Sequence, residues 1–354
     1  MISPADTLYM RRALELARMG ELGASPNPMV GAVIVSTAGD VIGEGFHARC
    51  GGPHAEVRAM QAVHNRSLIP GSTVYVTLEP CAHYGKTPPC AAMLVRERVG
   101  RVVVGTVDPF AKVAGRGIAM LREAGIEVEV GVLEEECRRL NCKFFTAHTL
   151  KRPYVTLKWA CSSDGWMDWE RTPEHPGAAS FSSELSRLEV MRLRAVNDAI
   201  LVGSGTALAD DPSLTVRGIS GRQPMRVVLD RRGRVDTNAR ALADDGVRTL
   251  HITDPSVDLP ALLHRLYAEG CISLLVEGGA ELLQSFIKSG LWDAVRREMM
   301  MQPLGSQGRV AAPQLPRGVV TVEESDGRIV THVANCVTQK LTFLTLPTAP
   351  NSDF

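Results

Sequence analysis

With 354 residues, 45% of them hydrophobic and 22% charged, the chain has the composition of a soluble globular protein and a length suited to two domains rather than one core. Its 39 basic and 39 acidic side chains cancel, which removes the strong electrostatic attraction that nonspecific nucleic-acid binding needs and favours a small-molecule substrate. Eight cysteines in so long a chain do not read as a disulfide framework, and the lack of a basic leader or a membrane-length apolar run predicts a cytoplasmic location.

Residues 3 to 20 predict a helix: Ser3 can cap it, Pro4 fits its first turn, Met10, Ala13, Leu14 and Ala17 form an apolar stripe, and Gly20 ends it. Strands are expected at 30–35 and 41–46 around Ala38-Gly39-Asp40, then a helix over 54–63, a short strand at 73–78 and a helix over 90–99. Strands at 101–107 and 126–130 bracket a helix near 117–124, and a helix from Glu134 to about Phe145 ends near Lys151-Arg152-Pro153. That proline sets the expected boundary between a first domain, 1–150, and a second, 151–354. The second series predicts strands at 154–160, 199–203, 226–230, 249–253 and 272–276, with helices over 184–195, 259–268 and 280–289. Apolar strands near 294–301, 319–322, 329–333 and 340–346 follow, so both halves read as α/β, with no internal repeat joining them.

His54-Ala55-Glu56, Glu79-Pro80-Cys81 and Cys90 carry the clearest chemistry. One imidazole and two thiolates suit zinc, and three protein ligands leave a fourth position for a water whose pKa falls toward neutrality. Glu56 is then available to move protons between that water, a ring nitrogen and a departing amine, which describes hydrolytic deamination. The H-x-E and P-C pair is the zinc-deaminase pattern, except that eight residues, 82–89, stand where two are usual. A closed structural site with His83 or Cys50 as fourth ligand is the alternative; it leaves Glu56 without a task. Each ligand is expected at the junction of a loop or strand with a helix start, where the dipole and free N–H groups favour thiolate.

In the second half, Leu274 to Ala280 is a buried strand running through Glu277-Gly278-Gly279 into a helix, a junction that can present free N–H groups to a phosphate or serve as an ordinary turn. The segment from Thr206 to Arg217 is polar and turn-rich; it could hold a polyhydroxylated phosphate ester or make a capped turn. Arg187, Arg192, Arg194, Arg217, Arg222 and Arg226 are dense enough to suggest an anionic ligand, with solvated surface charge as the alternative.

Along nearly its whole length the chain resembles the bifunctional riboflavin-biosynthesis deaminase/reductases. Ser25 to Val33, Gly51 to Glu56, and Leu78 to His83 with Thr87 to Cys90 look like the deaminase motifs, including the long spacer. Lys158, Asp164-Gly165, Thr206 to Arg217, Gln223-Pro224 with Asp230, and Glu277-Gly278-Gly279 look like the reductase motifs. The resemblance implies a cytidine-deaminase-like three-layer α/β/α sandwich followed by a dihydrofolate-reductase-like α/β domain. It implies Zn2+ on His54, Cys81 and Cys90, with Glu56 as proton shuttle and Asn27 on the pyrimidine. It further implies NADPH against Cys161, Thr206, Asp210, Gly279, Ala280, Glu281, Leu282, Leu283, Gln284 and Ser285. Substrate would meet Arg194, Leu214, Arg217 and Glu277, with Lys158 and Asp210 nearest the reacting ribose carbon. The implied substrate is a phosphorylated pyrimidine, with neither nucleic acid nor membrane as partner, and the implied assembly is a homo-oligomer.

The match weakens between Trp166 and Ser183. Ala178 and Ser180 stand where many members have serine and tryptophan, after a longer Arg171 to Gly177 insertion, so stacking area and an N–H donor are lost unless Trp166 or Trp169 substitutes. Arg231 could meet a 2'-phosphate or be an exposed turn residue. Three other readings stay open: a deaminase with a weak or regulatory second domain, a nucleic-acid deaminase, and a noncatalytic zinc-stabilised module.

Overall fold

The computed structural model describes residues 2–82, 88–110, 115–173 and 176–337. The chain divides between Thr149 and Leu150 into two compact units. The first contains α1 (Pro4–Arg18), β1 (Gly31–Val35), β2 (Val41–Phe46), α2 (Ala55–Gln61), β3 (Thr73–Val76), α3 (Cys90–Arg96), β4 (Arg101–Val104), α4 (Arg116–Glu123), β5 (Glu127–Val130), α5 (Glu134–Leu140) and α6 (Cys142–Leu150). Its sheet runs β2-β1-β3-β4-β5, with β1 antiparallel to β2 and β3, and β3, β4 and β5 parallel.

Both faces of this sheet are buried, and the period-two alternation of strand side chains sorts them into two cores. Ala32, Ile34, Val74, Val76, Val102 and Val104 pack with α2, α3 and α4; Val33, Val35, Tyr75 and Val103 pack with α1 and α5. The unit is therefore a three-layer α/β/α sandwich. Ser3 caps α1 through a reciprocal capping box with Asp6. Asp6 also accepts from Arg101 at 2.6 and 3.2 Å and from Tyr75 Oη at 3.1 Å, which ties the helix start to β3 and β4. The helix expected over 134–145 is two helices. Asn141 stands between them, its carboxamide accepting from Met29 N and donating to Met29 O, both at 2.8 Å.

The second unit contains β6 (Tyr154–Cys161), β7 (Trp166–Trp169), α7 (Glu184–Ala195), β8 (Ala199–Gly203), α8 (Ser204–Asp210), β9 (Met225–Leu229), β10 (Thr249–Ile252), α9 (Leu259–Ala268), β11 (Ser273–Val276) and α10 (Ala280–Ser289), then β12 (Ala294–Met300), β13 (Gly308–Ala311), β14 (Val319–Ser325) and β15 (Arg328–Ala334). Its eight-stranded sheet has the order β10-β9-β8-β11-β6-β12-β15-β14, parallel as far as β12, while β7 and β13 form a separate pair. Val155, Leu157, Trp159, Leu274 and Val276 pack with α9 and α10; Ile200, Val202, Val228 and Leu275 pack with Ala207 and Leu214.

Three elements were not anticipated. β7 and β13 pair only with each other, and neither has the buried apolar run that marks the equally short β3 and β4. Residues 206–210, the first part of the segment expected over 206–217 as polar and turn-rich, belong to α8, which stops at Asp211 with φ +38° before Pro212. The strand expected at 340–346 lies outside the described residues.

Candidate active sites

In the first unit the metal-ligand set assembles from three places. His54 is the N-cap residue of α2 in extended conformation, Cys90 is the first residue of α3, and Cys81 follows β3. His54 Nδ1 lies 3.6 Å from Cys81 Sγ and 3.4 Å from Cys90 Sγ, and all three donor atoms lie within 4.8 Å of one another. A tetrahedral zinc with ordinary Zn–N and Zn–S lengths requires an N···S edge of about 3.6 Å, so the donor set fits that ion. The eight-residue spacer is compatible with this closure: Cys90 N donates to Cys81 Sγ at 3.3 Å. Cys50 is exposed and is not part of the cluster, and His83 lies outside the described residues.

Glu79 fastens the loop that carries Cys81. Its buried carboxylate accepts from the backbone N–H groups of Asp108, Gly115, Gly117 and Ile118 at 2.9–3.3 Å. Gly117 has to be glycine, because a Cβ there would stand 1.9 Å from the Pro80 carbonyl oxygen.

Hydrogen bonding within the ligand set separates its two thiols. The bond from Cys90 brings Cys81 down to about 4, with His54 helping against burial, while the same contact and burial push Cys90 up. The bond with Cys81 raises His54 to about 9. Glu56, only 3% exposed, is pushed up by burial, with the neighbouring imidazole opposing the shift.

Asn27 is held by a residue the sequence did not single out. His47 Nδ1 faces the Pro53 carbonyl at 3.1 Å and so carries the proton, which leaves Nε2 to accept from Asn27 Nδ2 at 3.1 Å. Asn27 Oδ1 is thereby oriented away from His47. A lone histidine just after β2 gives no sequence signal for such a role.

In the second unit, Arg194 Nε and Nη2 grip Glu277 at 2.8 and 2.7 Å, and Nη1 donates to the Thr215 carbonyl at 3.0 Å. Lys158 is level with Arg296 in the β6–β12 register, and Glu298 follows on the same face of β12. Burial pushes the Lys158 ammonium down, and Glu277 and Glu298 hold it up against Arg296 and Arg194. Burial would raise Glu277, but its bonds to Arg194 outweigh that and lower it. Glu298 is 0% exposed, its Oε2 3.6 Å from Arg296 Nη1 and its Oε1 3.4 Å from Arg328 Nε. Glu298 and Arg296 belong to this pocket although no motif marked them; only their place in an apolar strand pattern could have done so.

Several expected residues stand elsewhere or contribute only backbone. Asp210 pairs with Arg171 rather than with the Lys158 cluster. Cys161 is three residues beyond Lys158 on β6, so its side chain points to the opposite face and into the core. Leu214, with φ +54°, is buried in the core. Arg217 is exposed and reaches Ser213 and Thr215.

Gly279 is the N-cap of α10 with no side-chain cap, leaving first-turn N–H groups of Ala280, Glu281 and Leu282 without intrahelical partners. Leu283 is core, Gln284 lies one turn further along α10, and Ser285 Oγ donates to the Glu281 carbonyl at 2.8 Å. A Cβ on Gly279 would stand 3.2 Å from Thr206 Oγ1, and Gly278 has φ +132°, so the two glycines keep a cradle open that side chains would fill. The cradle fits a phosphate-bearing cofactor. Of the remaining arginines, Arg226 is wholly buried against Asp245, Thr249 and main-chain carbonyls, and Arg222 pairs with Asp198. Much of the arginine density is therefore structural.

A zinc-type ligand triad with a buried carboxylate, and a second unit with a glycine cradle beside a charged pocket, define a hydrolytic deaminase joined to a nucleotide-dependent reductase. Residues 3–106 match the cytidine and deoxycytidylate deaminase zinc-binding region, and residues 153–324 match the RibD C-terminal domain. Riboflavin biosynthesis protein RibD of Aquifex aeolicus is 40% identical over 316 residues, covering 83% of this chain and 86% of its own, and that of Escherichia coli is 38% identical over 337 residues, covering 86% and 90%. Among solved structures, RibD of Acinetobacter baumannii superposes with a TM-score of 0.83 at 36% identity, covering 93% of this chain and 98% of its own. A diaminohydroxyphosphoribosylaminopyrimidine deaminase/5-amino-6-(5-phosphoribosylamino)uracil reductase of Thermotoga maritima gives 0.84 at 34%, covering 94% and 99%. The chain belongs to the RibD family of bifunctional riboflavin-biosynthesis enzymes.

Proposed function

We propose that residues 1–150 hydrolyse the 2-amino group of 2,5-diamino-6-(5-phosphoribosylamino)pyrimidin-4(3H)-one, and that residues 151–354 reduce the ribosyl group of the product to 5-amino-6-(5-phosphoribitylamino)uracil. The convergence of His54 Nδ1, Cys81 Sγ and Cys90 Sγ beside a buried Glu56 carries the reading. Zinc, held by those three residues, supplies activation of the attacking water. Glu56, whose burial raises its proton affinity, would carry one proton from the attacking water to the ring nitrogen and a second, from the hydroxyl then on the carbon, to the amine that leaves as ammonia. Asn27, its amide fixed by His47, presents Oδ1 to the pyrimidine edge.

In the second unit NADPH supplies the hydride. The first-turn N–H groups of α10 and Thr206 hold the phosphate-bearing end of the cofactor, with Gly278 and Gly279 leaving room. Arg194 keeps Glu277 ionised and aimed at the substrate, Lys158 supplies the polar group nearest the ribose carbon, and exposed Arg217 meets its phosphate. The reading places the enzyme in the cytoplasm as a homo-oligomer; no helix among the described residues is long and apolar enough to cross a membrane.

Turnover of the diaminopyrimidine with and without NADPH tests both halves. Ammonia release without NADPH, followed by NADPH oxidation that depends on the deaminated product, is the expected result. Ammonia release with no product-dependent oxidation would remove the reductase, and base conversion only in RNA or single-stranded DNA would replace the substrate.

A further inference from the structure

Arg171 and Gly177, the ends of the segment that the resemblance leads one to read as an insertion, are each fastened to neighbouring groups. Arg171 Nε and Nη2 donate to one oxygen of Asp168 at 3.0 and 2.8 Å, and the same guanidinium reaches the Ala209 carbonyl and the carboxylate of Asp210. The other oxygen of Asp168 accepts from Trp169 N at 3.0 Å and Ala179 N at 2.9 Å. The Trp169 indole donates to the Gly177 carbonyl at 2.8 Å. Trp169 therefore secures the loop, while Ala178 and Ser180, where the resemblance leads one to expect serine and an indole, are exposed.

Asp210 and Thr206 are four residues apart on α8 and share one face, about 6 Å apart along the axis. Thr206 Oγ1 in turn lines the cradle at Gly278 and Gly279. A continuous line runs from the glycine turn through Thr206 and Asp210 to the guanidinium.

We propose that Arg171 is a positioning residue for the cofactor: by bridging Asp168 and Asp210 it fixes Asp210 on the Thr206 face of α8, the face that leads to the glycine cradle. The inference rests on the second unit being the NADPH reductase.

The test uses full-length, zinc-loaded protein, with NADPH binding followed by its fluorescence and reduction followed with the deaminated substrate. Arg171→Met is expected to raise both the Kd and the KM for NADPH about tenfold and to leave kcat within about twofold. Ammonia release should be unchanged. Asp168→Asn, which weakens one arm of the bridge and leaves Arg171 on Asp210, should raise the same constants about threefold and supplies the test if Arg171→Met does not fold. NADPH affinity within twofold of the parent in Arg171→Met, or in Asp168→Asn where that is the variant measured, would overturn the proposal, as would a fall in kcat at constant KM. A parent that neither binds nor oxidises NADPH would instead overturn the reductase reading beneath it.

Discussion

The two sites are built on opposite plans. In the first unit three ligands and one carboxylate sit at two helix starts and one loop, and Glu79 holds that loop by accepting four backbone N–H groups. In the second unit the site is a lattice of opposed charges, Lys158, Arg194, Glu277, Arg296 and Glu298, drawn from three elements, β6, α7 and β12, and the β11–α10 turn, with each charge held by another. A site of few donors fails by losing one chemical group. A lattice fails by leaving a partner charge buried and unpaired.

The largest expected effect tests the first plan. Cys81→Ser should abolish zinc retention and ammonia release, and Glu56→Gln should keep zinc while slowing deamination by about 10²–10⁴. Reduction of pre-deaminated substrate should be unaffected by either. Full deaminase turnover in Glu56→Gln would mean that the carboxylate is not the proton carrier.

The second plan makes a different prediction. Glu277→Ala leaves Arg194 buried without its counter-charge and should cost about 3–5 kcal/mol in the second unit, with reductase activity lost. Denaturant unfolding of this variant should show one transition displaced, while zinc content and ammonia release persist under native conditions. A loss below about 1 kcal/mol would show that water screens the pair and that the pocket is not a mutually dependent lattice.

The same contrast explains what could be read in advance. His54, Glu56, Cys81 and Cys90 lie within one short stretch, and their chemistry restricts the options to a metal site even before the chain is folded. Lys158 and Glu277 were visible only through resemblance, and Arg296 and Glu298 not at all, because β12 brings them beside Lys158 by register across some 140 positions. Asn141 was read as helix interior because propensity does not reveal that its carboxamide would bind the backbone of Met29 more than a hundred residues away. Long helices such as α7, α9 and α10 matched their patterns to the residue, whereas α8, β7 and β13 lack the apolar run that marked equally short elements such as α3 and β4.

Acid should separate the units further. Burial alone would raise Asp6, but Arg101 and the N–H and Oγ of Ser3 outweigh it and hold the carboxyl below its usual range. A depressed folded-state pKa contributes stability that is fully present above the unfolded value near 4 and is lost as pH falls toward the folded one. Asp6→Asn should therefore lower stability of the first unit by about 1.5–3 kcal/mol at pH 7 and flatten its decline between pH 4 and 2. An acid limb as steep as the parent's would assign the sensitivity to other carboxylates.

The smallest effect isolates the helix end from the ion pair. Ser3→Ala removes the Oγ that accepts from Asp6 N at 3.1 Å but leaves Ser3's own N–H, which donates to Asp6 Oδ2 at 3.0 Å, so half the capping box survives. The loss should be about 1 kcal/mol, with zinc content and both activities unchanged. If α1 is anchored chiefly through Arg101 and Tyr75, adding Ser3→Ala to Asp6→Asn will cost less than the separate losses combined, because the carboxylate is shared by cap and clamp. Strict additivity would mean that the cap and the clamp stabilise α1 independently, and that the first unit lacks even this small lattice of its own.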